Sequence, residues 1–183
     1  MDKLSQSELS LLEFIAEHMH SGTLDYLMPV ISGLGDLGIF WIVLALVLLS
    51  LPQDRARGVQ VGLAVLLSGI VCNLLLKNLV ARPRPFEFQP LLELIVAAPH
   101  DFSFPSGHTT ASFAAATVLV RSGWKAAPVA VLLAVLIAFS RLYLNVHFPT
   151  DVLAGVLTGV ALGFITTKLY SLATGRRKHS KGV

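Results

Sequence analysis

Three short groups of polar residues follow one another along this chain, each set in or beside a run of apolar sequence. They are Lys77-x6-Arg84-Pro85, then Pro105-Ser106-Gly107-His108, then Ser140-Arg141-x5-His147-x3-Asp151. The set supplies three cations, two imidazoles and a carboxylate. Such an inventory suits a phosphate group, because fixed positive charge can hold its oxygens while one histidine attacks phosphorus and another protonates the leaving group.

Lys77, Arg84 and Arg141 are the candidate phosphate-binding cations. A charged side chain at membrane depth costs about 2.5 to 3.5 kcal/mol on insertion scales, so such groups are rare and usually functional. Lys77 alone could simply reach the headgroups from the end of an apolar run. The three cations are predicted at one membrane level with few acids nearby, and such a cluster is destabilising until an anion fills it. Arg82 lies outside the motif and is given a flanking role.

The second group directly precedes an apolar run, so it is predicted to start a helix. Ser106 is a suitable N-cap, Gly107 allows close backbone approach, and His108 falls in the first turn. The free N–H groups of a helix start favour anions, so Ser106 and the Gly107 N–H are predicted to bind phosphate oxygens. A plain capping role would explain Ser106 and Gly107 but would leave His108 without a reason.

His147 and Asp151 are the candidate nucleophile and its orienting carboxylate. Pro149 is a favoured first residue of a helix, and Asp151, four residues after His147, can turn back to accept a hydrogen bond from its ring. That bond would fix the tautomer and leave the other ring nitrogen free to attack. The alternative is that Asp151 only caps the next helix and His147 is interfacial, but the other two groups favour the catalytic interpretation.

The elements that must position these groups are predicted to be membrane helices. Apolar residues make up 54% of the 183 residues and charged residues 14%, with a mean hydropathy of +0.71, whereas ordinary globular domains are about a quarter charged. The net charge of +3 comes without the aromatic-interleaved basic surface of a nucleic-acid-binding protein. One cysteine excludes a disulfide within the chain, and the sequence has no metal-ligand cluster, so we expect no cofactor and no metal site.

The apolar runs predict an all-α, integral membrane helical bundle of five to six spans. Five spans are predicted at 37–51 (beginning nearer residue 32), 58–80, 106–121, 126–143 and 149–172, with a Pro-rich loop at 81–104. Gly155, Gly159 and Gly163, spaced by four, permit close helix packing along the last span. The chain thus divides into N-terminal helices at 1–34, a transmembrane core at 35–172 and a basic cytoplasmic tail at 173–183.

The N-terminal segment is too polar to span a bilayer. Residues 4–20 are predicted to form an amphipathic interfacial helix, with acids opposite an apolar face made of Leu4, Leu11, Leu12, Ile15 and Met19. The apolar segment 24–34 is too short to cross alone, so it is predicted to be part-buried or re-entrant. If this segment lies deeper, the number of spans becomes six.

Basic residues are distributed unequally between the two faces of this topology. One face receives Arg55, Arg57, Arg121, Lys125, Lys168, Arg176, Arg177, Lys178 and Lys181, and the other receives Lys3 and the four cations of the motif region, Lys77, Arg82, Arg84 and Arg141. The positive-inside rule makes the first face cytoplasmic. The protein is therefore predicted to lie in the plasma or inner membrane of the cell, with its motif residues facing the outside or the periplasm.

The ordered set of three motifs resembles the type 2 phosphatidic acid phosphatase family, membrane lipid phosphatases whose catalytic core also occurs in vanadium-dependent haloperoxidases. The resemblance covers roughly residues 60–170. It implies that His147 attacks phosphorus to form a phosphohistidine, which water then hydrolyses, and that Asp151 orients it. It further implies that His108 is the general acid and then the base for water. The phosphate oxygens would be held by Lys77, Arg84, Ser106, Gly107 and Arg141.

The resemblance leaves the substrate open. We expect a lipid pyrophosphate or phosphate, and first undecaprenyl pyrophosphate, because the chain is similar to small bacterial undecaprenyl pyrophosphate phosphatases. Phosphatidylglycerol phosphate and diacylglycerol pyrophosphate are the alternatives. A haloperoxidase would share the pocket, but those enzymes are soluble, and a transporter or scaffold would not explain site residues in register at one membrane face. No step is assigned to Glu87, Glu93 or Asp101, and the oligomeric state is not predicted.

Overall fold

A computed structural model describes residues 3–89 and 94–175 of the chain. The helices are α1 (Lys3–Met19), α2 (Gly22–Gly33), a 3₁₀ turn (Asp36–Gly38), α3 (Ile39–Ser50), α4 (Arg55–Ser68), a π-helix (Gly69–Leu76), α5 (Lys77–Val80), α6 (Pro85–Phe88), α7 (Gly107–Arg121), α8 (Ala127–Tyr143) and α9 (Pro149–Ala173). No strand occurs in these two described ranges, so the all-α prediction is confirmed. Glu93 and most of the predicted basic tail, at 176–183, lie outside the described residues.

Two stretches are long and apolar enough to cross a membrane. They are Arg55–Phe88, with 34 residues, and Pro149–Ala173, with 25 residues. A third arises if α2 and the stretch Asp36–Ser50, which meet at a bend of 46°, form one broken span. The apolar helix α8 has only 17 residues. Within the described residues the structure therefore supports two or three spans, and the number of five to six stays a prediction.

α7 lies at the centre of the bundle, in contact with α3, α4, α8 and α9. Ala114, Val118 and Leu119 of α7 are completely buried, as expected for a helix that is enclosed by others. Trp41 of α3 is also completely buried, and its indole Nε1 donates to the Ser112 hydroxyl at 2.9 Å, which satisfies the polar end of the ring. α7 is thus held by helices on several sides.

Three glycines one turn apart let α9 lie directly against α7. A Cβ added at Gly155, Gly159 or Gly163 would lie 2.9, 2.5 or 2.6 Å from an atom of α7. Small residues of this kind let two helix backbones approach closely. The contact brings the start of α7 beside the start of α9, where the Ser106 backbone N–H donates to the Asp151 carbonyl oxygen at 3.1 Å.

α1 forms where an amphipathic helix is predicted, and Leu12 and Ile15 of the predicted face are buried, but the buried face also includes an acid. Leu11 and Met19 of the predicted face are exposed, and the buried residues are Glu8, Leu9, Leu12 and Ile15. The reason is an ion pair that draws Glu8 inward, since Glu8 accepts from Arg82 at 2.6 Å. The side chain of Leu4 lies outside the described part of the structure.

Gly159→Val is expected to destabilise the protein, because its first side-chain carbon would lie 2.5 Å from the Thr110 carbonyl oxygen. The two helices must then separate, at about the 1 to 3 kcal/mol that overpacking costs. Thermal unfolding in detergent should show a lower midpoint than the parent protein. Ala161→Val, on an exposed position of the same helix, should stay within about 0.5 kcal/mol. Equal midpoints for the two variants would contradict the close contact.

Candidate active site

The three motifs meet at the end of the bundle where α7 and α9 begin and α8 ends. There they surround a cavity of about 320 Å³. The predicted site residues that line it are Lys77, Arg84, His108, Arg141 and His147. Two carboxylates that the motifs do not contain, Asp36 and Asp101, line it as well.

His147 lies in the turn between α8 and α9 and is 1% exposed. Its Nδ1 lies 3.6 Å from Asp151 Oδ2 and 3.4 Å from the Ser103 hydroxyl oxygen. Its Nε2 lies on the side of Arg84, 3.4 Å from Nη1. Burial, with Arg84 and Arg141 beside it, lowers the pKa of His147 to about 3, although Asp151 acts in the opposite direction. The ring is therefore neutral at physiological pH, with oxygen acceptors beside Nδ1 and cations beside Nε2.

The Asp151 carboxylate is completely buried and is held from three sides. Oδ2 accepts from the Phe148 backbone N–H at 2.8 Å and from the Ser103 hydroxyl, and Oδ1 accepts from Arg82 Nη1 at 2.7 Å. Asp151 therefore caps the start of α9 and also lies beside His147, so the two interpretations of the sequence are compatible. The contact with His147 is longer than an ordinary hydrogen bond, and Ser103 joins the two side chains.

Arg82 has a larger part than the flanking role that its position outside the motif predicts. Its Nη1 donates to Asp151, and its Nη2 donates to Glu8 Oε2 at 2.6 Å. Glu8 in turn accepts from the backbone N–H and the hydroxyl of Thr150, at 2.8 and 2.6 Å. Helix α1 is thereby linked to the carboxylate that lies beside His147.

Asp101 neutralises two of the three motif cations, which corrects the expectation that few acids lie nearby. Its Oδ2 accepts from the Lys77 ammonium, and its Oδ1 accepts from Arg84 Nη2 at 2.6 Å. Burial raises the pKa of Asp101, but Lys77 and Arg84 outweigh that effect and bring the pKa to about 2. Because the Asp101 side chain is 56% exposed, an incoming anion can take its place on the two cations.

Arg141 is the motif cation that forms no ion pair in the described part of the chain. It is 6% exposed, its Nη1 donates to the Ser32 hydroxyl, and its Nε has no hydrogen-bond partner. A buried charge that is left uncompensated is strongly destabilising. Because Arg141 lines the same cavity as Lys77 and Arg84, an anion with several oxygens would satisfy it there.

His108 lies in the first turn of α7, as predicted, and has Asp36 as its partner. Its Nε2 donates to Asp36 Oδ1 at 2.7 Å, which leaves Nδ1 to meet a bound group. Gly35 permits this approach, since a Cβ there would lie 2.7 Å from the His108 ring. The two partners are 72 positions apart, so spacing does not reveal the pair. The available signal is an acid between glycines in an otherwise apolar stretch.

Ser106 and Gly107 lie beside the larger cavity but do not line it. The completely buried Ser106 hydroxyl accepts from the Thr109 backbone N–H at 3.5 Å and from the Thr109 hydroxyl at 2.9 Å, so the predicted N-cap is confirmed. Gly107 lines a smaller neighbouring cavity of about 200 Å³. Glu87, to which the sequence assigns no step, accepts from the Arg84 backbone N–H at 2.8 Å and caps α6.

The arrangement can hold a phosphoryl group and act on it from two directions. Lys77, Arg84 and Arg141 supply positive charge for its oxygens. The neutral, buried ring of His147 is a suitable nucleophile. The His108 ring, paired with a carboxylate, is a suitable proton donor and acceptor.

Comparisons with known proteins agree with this chemistry. Residues 57–174 match the PAP2 superfamily. Decaprenylphosphoryl-5-phosphoribose phosphatase from Mycobacterium tuberculosis is 34% identical over 152 residues, which cover 82% of this chain and 81% of the relative. Undecaprenyl-diphosphatase from Sulfolobus acidocaldarius is 33% identical over 150 residues, which cover 81% of this chain and 72% of the relative. The crystal structure of Aquifex aeolicus LpxE has a TM-score of 0.74 and 32% identity, over 87% of this chain and 94% of that one.

The matched segment contains all three motifs and both histidines that line the cavity. The resemblance seen in the motifs is therefore confirmed over the region that carries the chemistry. Because that match extends over most of the chain, and relatives above 30% identity align with about four-fifths of it, the protein belongs to the PAP2 superfamily and is a phosphatase of that family.

Proposed function

We propose that this protein is an integral membrane lipid phosphatase that hydrolyses undecaprenyl pyrophosphate to undecaprenyl phosphate through a phosphohistidine. The observation that carries the reaction type is Arg141, a buried cation without an ion pair, in one cavity with Lys77, Arg84 and a neutral His147. Two of the relatives are named for polyprenyl lipids, which supports the choice of lipid. Phosphatidylglycerol phosphate and diacylglycerol pyrophosphate are the alternative substrates.

In the first step the Nε2 lone pair of His147 attacks the terminal phosphorus. An N–P bond forms while the P–O bond to the leaving group breaks. Ser103 and Asp151 lie beside Nδ1 and stabilise the positive charge that develops on the ring. Arg82 holds Asp151 in place through its Nη1, so it positions the nucleophile without contacting the substrate.

The three motif cations bind the nonbridging oxygens of the phosphoryl group. Arg84 and Lys77 release Asp101 when the substrate arrives, which exchanges one anion for another on the same two cations. Arg141 has no carboxylate to release and gains a partner. Fixed charges of this kind stabilise the charge that spreads over the equatorial oxygens in the transition state.

His108 moves the protons of both steps. It donates a proton to the departing oxygen as the P–O bond breaks, and it then accepts a proton from the water that attacks the phosphohistidine. The N–P bond breaks in that second step, orthophosphate leaves, and His147 is restored. Asp36 holds His108 Nε2, so Asp36 acts as a positioning residue.

We also propose that five spans cross the membrane and that the cavity opens on the outer side of the membrane. Nine of the 14 Lys and Arg residues belong to the face that we assign to the cytoplasm. In the described structure α4 begins at Arg55 and α7 ends at Arg121, at the end of these helices away from His108. The cavity therefore lies on the side that carries fewer basic residues.

Purified protein in detergent is expected to release phosphate from undecaprenyl pyrophosphate faster than from phosphatidylglycerol phosphate or diacylglycerol pyrophosphate. Excess EDTA should be tolerated, because three protein cations hold the oxygens.

His147→Ala should keep its thermal midpoint but fall below about 1% of parental kcat, since the covalent step loses its nucleophile. His100→Ala is the matched control, because His100 is exposed and lines neither cavity.

Turnover by His147→Ala above a few per cent of the parent would assign the nucleophile to another residue. Activity that disappears in EDTA and returns with Mg²⁺ would contradict the metal-free mechanism. Faster hydrolysis of phosphatidylglycerol phosphate would change the assigned substrate and leave the mechanism standing.

Asp36→Asn is expected to lower kcat about 10- to 100-fold with little change in KM, because His108 loses the carboxylate that orients it. The defect should shrink with 4-nitrophenyl phosphate, whose leaving group departs without a proton. Glu17→Gln, at an exposed acid on α1, should keep parental kcat on both substrates. An equal loss on the two substrates would show that Asp36 does not act through His108.

Single cysteines at Gln53 and Ala98, in a Cys72→Ala background, should report which side each loop faces. Both positions are exposed, Gln53 in the turn between α3 and α4 and Ala98 in the loop before Asp101. In intact cells a membrane-impermeant thiol reagent is expected to label Ala98→Cys but not Gln53→Cys, and to label both after permeabilisation. The reverse pattern would place the cavity in the cytoplasm and contradict the outward-facing assignment.

A further inference from the structure

The smaller cavity of about 200 Å³ adjoins the larger one and shares three lining residues with it, Lys77, Asp101 and His108. His147 lines only the larger cavity, and Asn73 lines only the smaller one. The His108 ring is therefore a wall common to both spaces, while the nucleophile can reach only one of them.

In phosphoryl transfer the attacking and leaving groups lie roughly in line, on opposite sides of phosphorus. A phosphoryl group attacked by His147 sends its leaving group away from His147 and past His108, the proton donor. The smaller cavity is the space that borders His108 without bordering His147. We propose that the smaller cavity is the leaving-group subsite and that it takes a charged leaving group, the lipid-linked phosphate of a diphosphate. This inference rests on the function proposed for the larger cavity.

Lys77 gives the subsite its charge, because this residue lines both cavities. Its ammonium can neutralise the phosphoryl group in the larger cavity and the departing phosphate in the smaller one. Its partner Asp101 is 56% exposed, so the ammonium can exchange that carboxylate for phosphate oxygens. A neutral alcohol leaving group would have no use for a cation at this position.

Asn73 gives the subsite a neutral donor. Within the described residues its side-chain carboxamide has no hydrogen-bond partner, although its backbone carbonyl accepts from Asn78 at 3.4 Å. The carboxamide lies beside the start of α7, since a Cβ on Gly107 would lie 3.0 Å from its Oδ1. Asn73 belongs to the π-helix Gly69–Leu76, a form of helix that is frequent at functional sites. Its N–H groups can donate to an oxygen of the leaving phosphate.

The remaining wall of the smaller cavity is largely apolar and leads to the outside of the bundle. It includes Leu37, Val65, Gly69 and Ala111. Leu37 is 87% exposed, and a Cβ on Gly69 would meet nothing within 4 Å. A lipid chain attached to the leaving phosphate can therefore pass out beside Leu37 and Gly69, onto the apolar surface of α3 and α4.

The bond changes distinguish two classes of substrate. With a lipid diphosphate, the bond between the terminal phosphorus and the bridging oxygen breaks, and that oxygen leaves on the lipid phosphate with a proton from His108. With a lipid monophosphate, the same proton goes to an alcohol that carries no charge. The subsite therefore favours diphosphates, and only the diphosphate reaction depends on the charge near Asn73.

Asn73→Asp tests this dependence by placing a like charge against the leaving phosphate. For a polyprenyl diphosphate, kcat/KM is expected to fall about tenfold or more, and for the monophosphate of the same alcohol less than about threefold. Gln53→Glu is the control, because it adds the same charge at an exposed position that lines neither cavity. It should leave kcat/KM for both substrates within about twofold of the parent.

Vanadate takes the place of the phosphoryl group in the larger cavity, so Asn73→Asp should change its inhibition constant by less than about threefold, as for the monophosphate. If the parent protein hydrolyses only the diphosphate, the vanadate inhibition constant replaces kcat/KM for the monophosphate as the comparison. Thermal midpoints of the two variants should agree, which separates a local charge effect from a loss of folded protein.

Gly69→Leu tests the apolar exit by size instead of charge. The open space around Gly69 admits the first carbon of the new side chain without a clash. The KM for a long-chain polyprenyl diphosphate is expected to rise, while the KM for a diphosphate with a five-carbon chain stays near the parental value. Gly22→Leu is the matched control, since a Cβ at Gly22 also meets nothing within 4 Å.

Failure of this inference can be told apart from failure of the proposed function. If the parent protein releases phosphate from no lipid, the proposed function is wrong. If the parent is active and Asn73→Asp behaves like Gln53→Glu, the leaving group lies elsewhere. An equal fall in kcat/KM for the diphosphate and the monophosphate, or a vanadate inhibition weakened as much as the diphosphate reaction, would also overturn the subsite.

Discussion

The close contact between α7 and α9 is the constraint on which the site depends. Three glycines of α9 let the two backbones meet where any side chain would collide, and at the end nearest the site the Ser106 N–H donates to the Asp151 carbonyl oxygen. His108 lies in the first turn of α7 and His147 lies two residues before α9, so a single packing contact sets where both imidazoles lie. A glycine inside a helix costs about 1 kcal/mol in propensity, which close packing between the helices has to offset. The geometry of the chemistry is therefore a consequence of how these two helices pack.

Charge balance around the cavity is the second constraint, and exposure decides how it works. Asp101 pairs with Lys77 and Arg84, but its side chain is 56% exposed, so water weakens these pairs and little is lost when they break. Arg141 is 6% exposed and has no ion pair within the described residues, so an anion that reaches it interacts in a low-dielectric setting, where charges attract more strongly. A phosphate that enters as we propose would therefore gain most at Arg141 and give up little by displacing Asp101. Its binding energy would be concentrated in the cavity that His147 also lines.

Local signals in the sequence predict the helices and five of the residues that line the larger cavity, because apolar runs, caps and motif spacing are properties of short segments. The predicted starts at 106 and 149 fall within one residue of the observed starts of α7 and α9. Pairs between distant segments could not be predicted in this way. Asp36 meets His108 across 72 positions, and Glu8 meets Arg82 across 74 positions. Glu8 is the exception to the amphipathic pattern of α1, since an ion pair inside the bundle outweighs the preference of an acid for water. Spacing rules contain no information about such pairs, which depend on the packed structure.

A series of alternating charges connects α1 to the nucleophile. Glu8 binds Arg82, Arg82 binds Asp151, and Asp151 lies beside His147 with Ser103 between them. Each buried charge is compensated by the next, as a low-dielectric interior requires, and Glu8, Arg82 and Asp151 together carry one net negative charge on the Nδ1 side of the ring. The cations lie on the other side, toward Nε2. Burial keeps the ring neutral before it reacts, with its pKa at about 3. In the mechanism that we propose, positive charge appears on the ring only as the N–P bond forms, and the carboxylate that would stabilise this charge is already in position. The surroundings that prevent protonation of His147 would thus also favour the proposed attack on phosphorus.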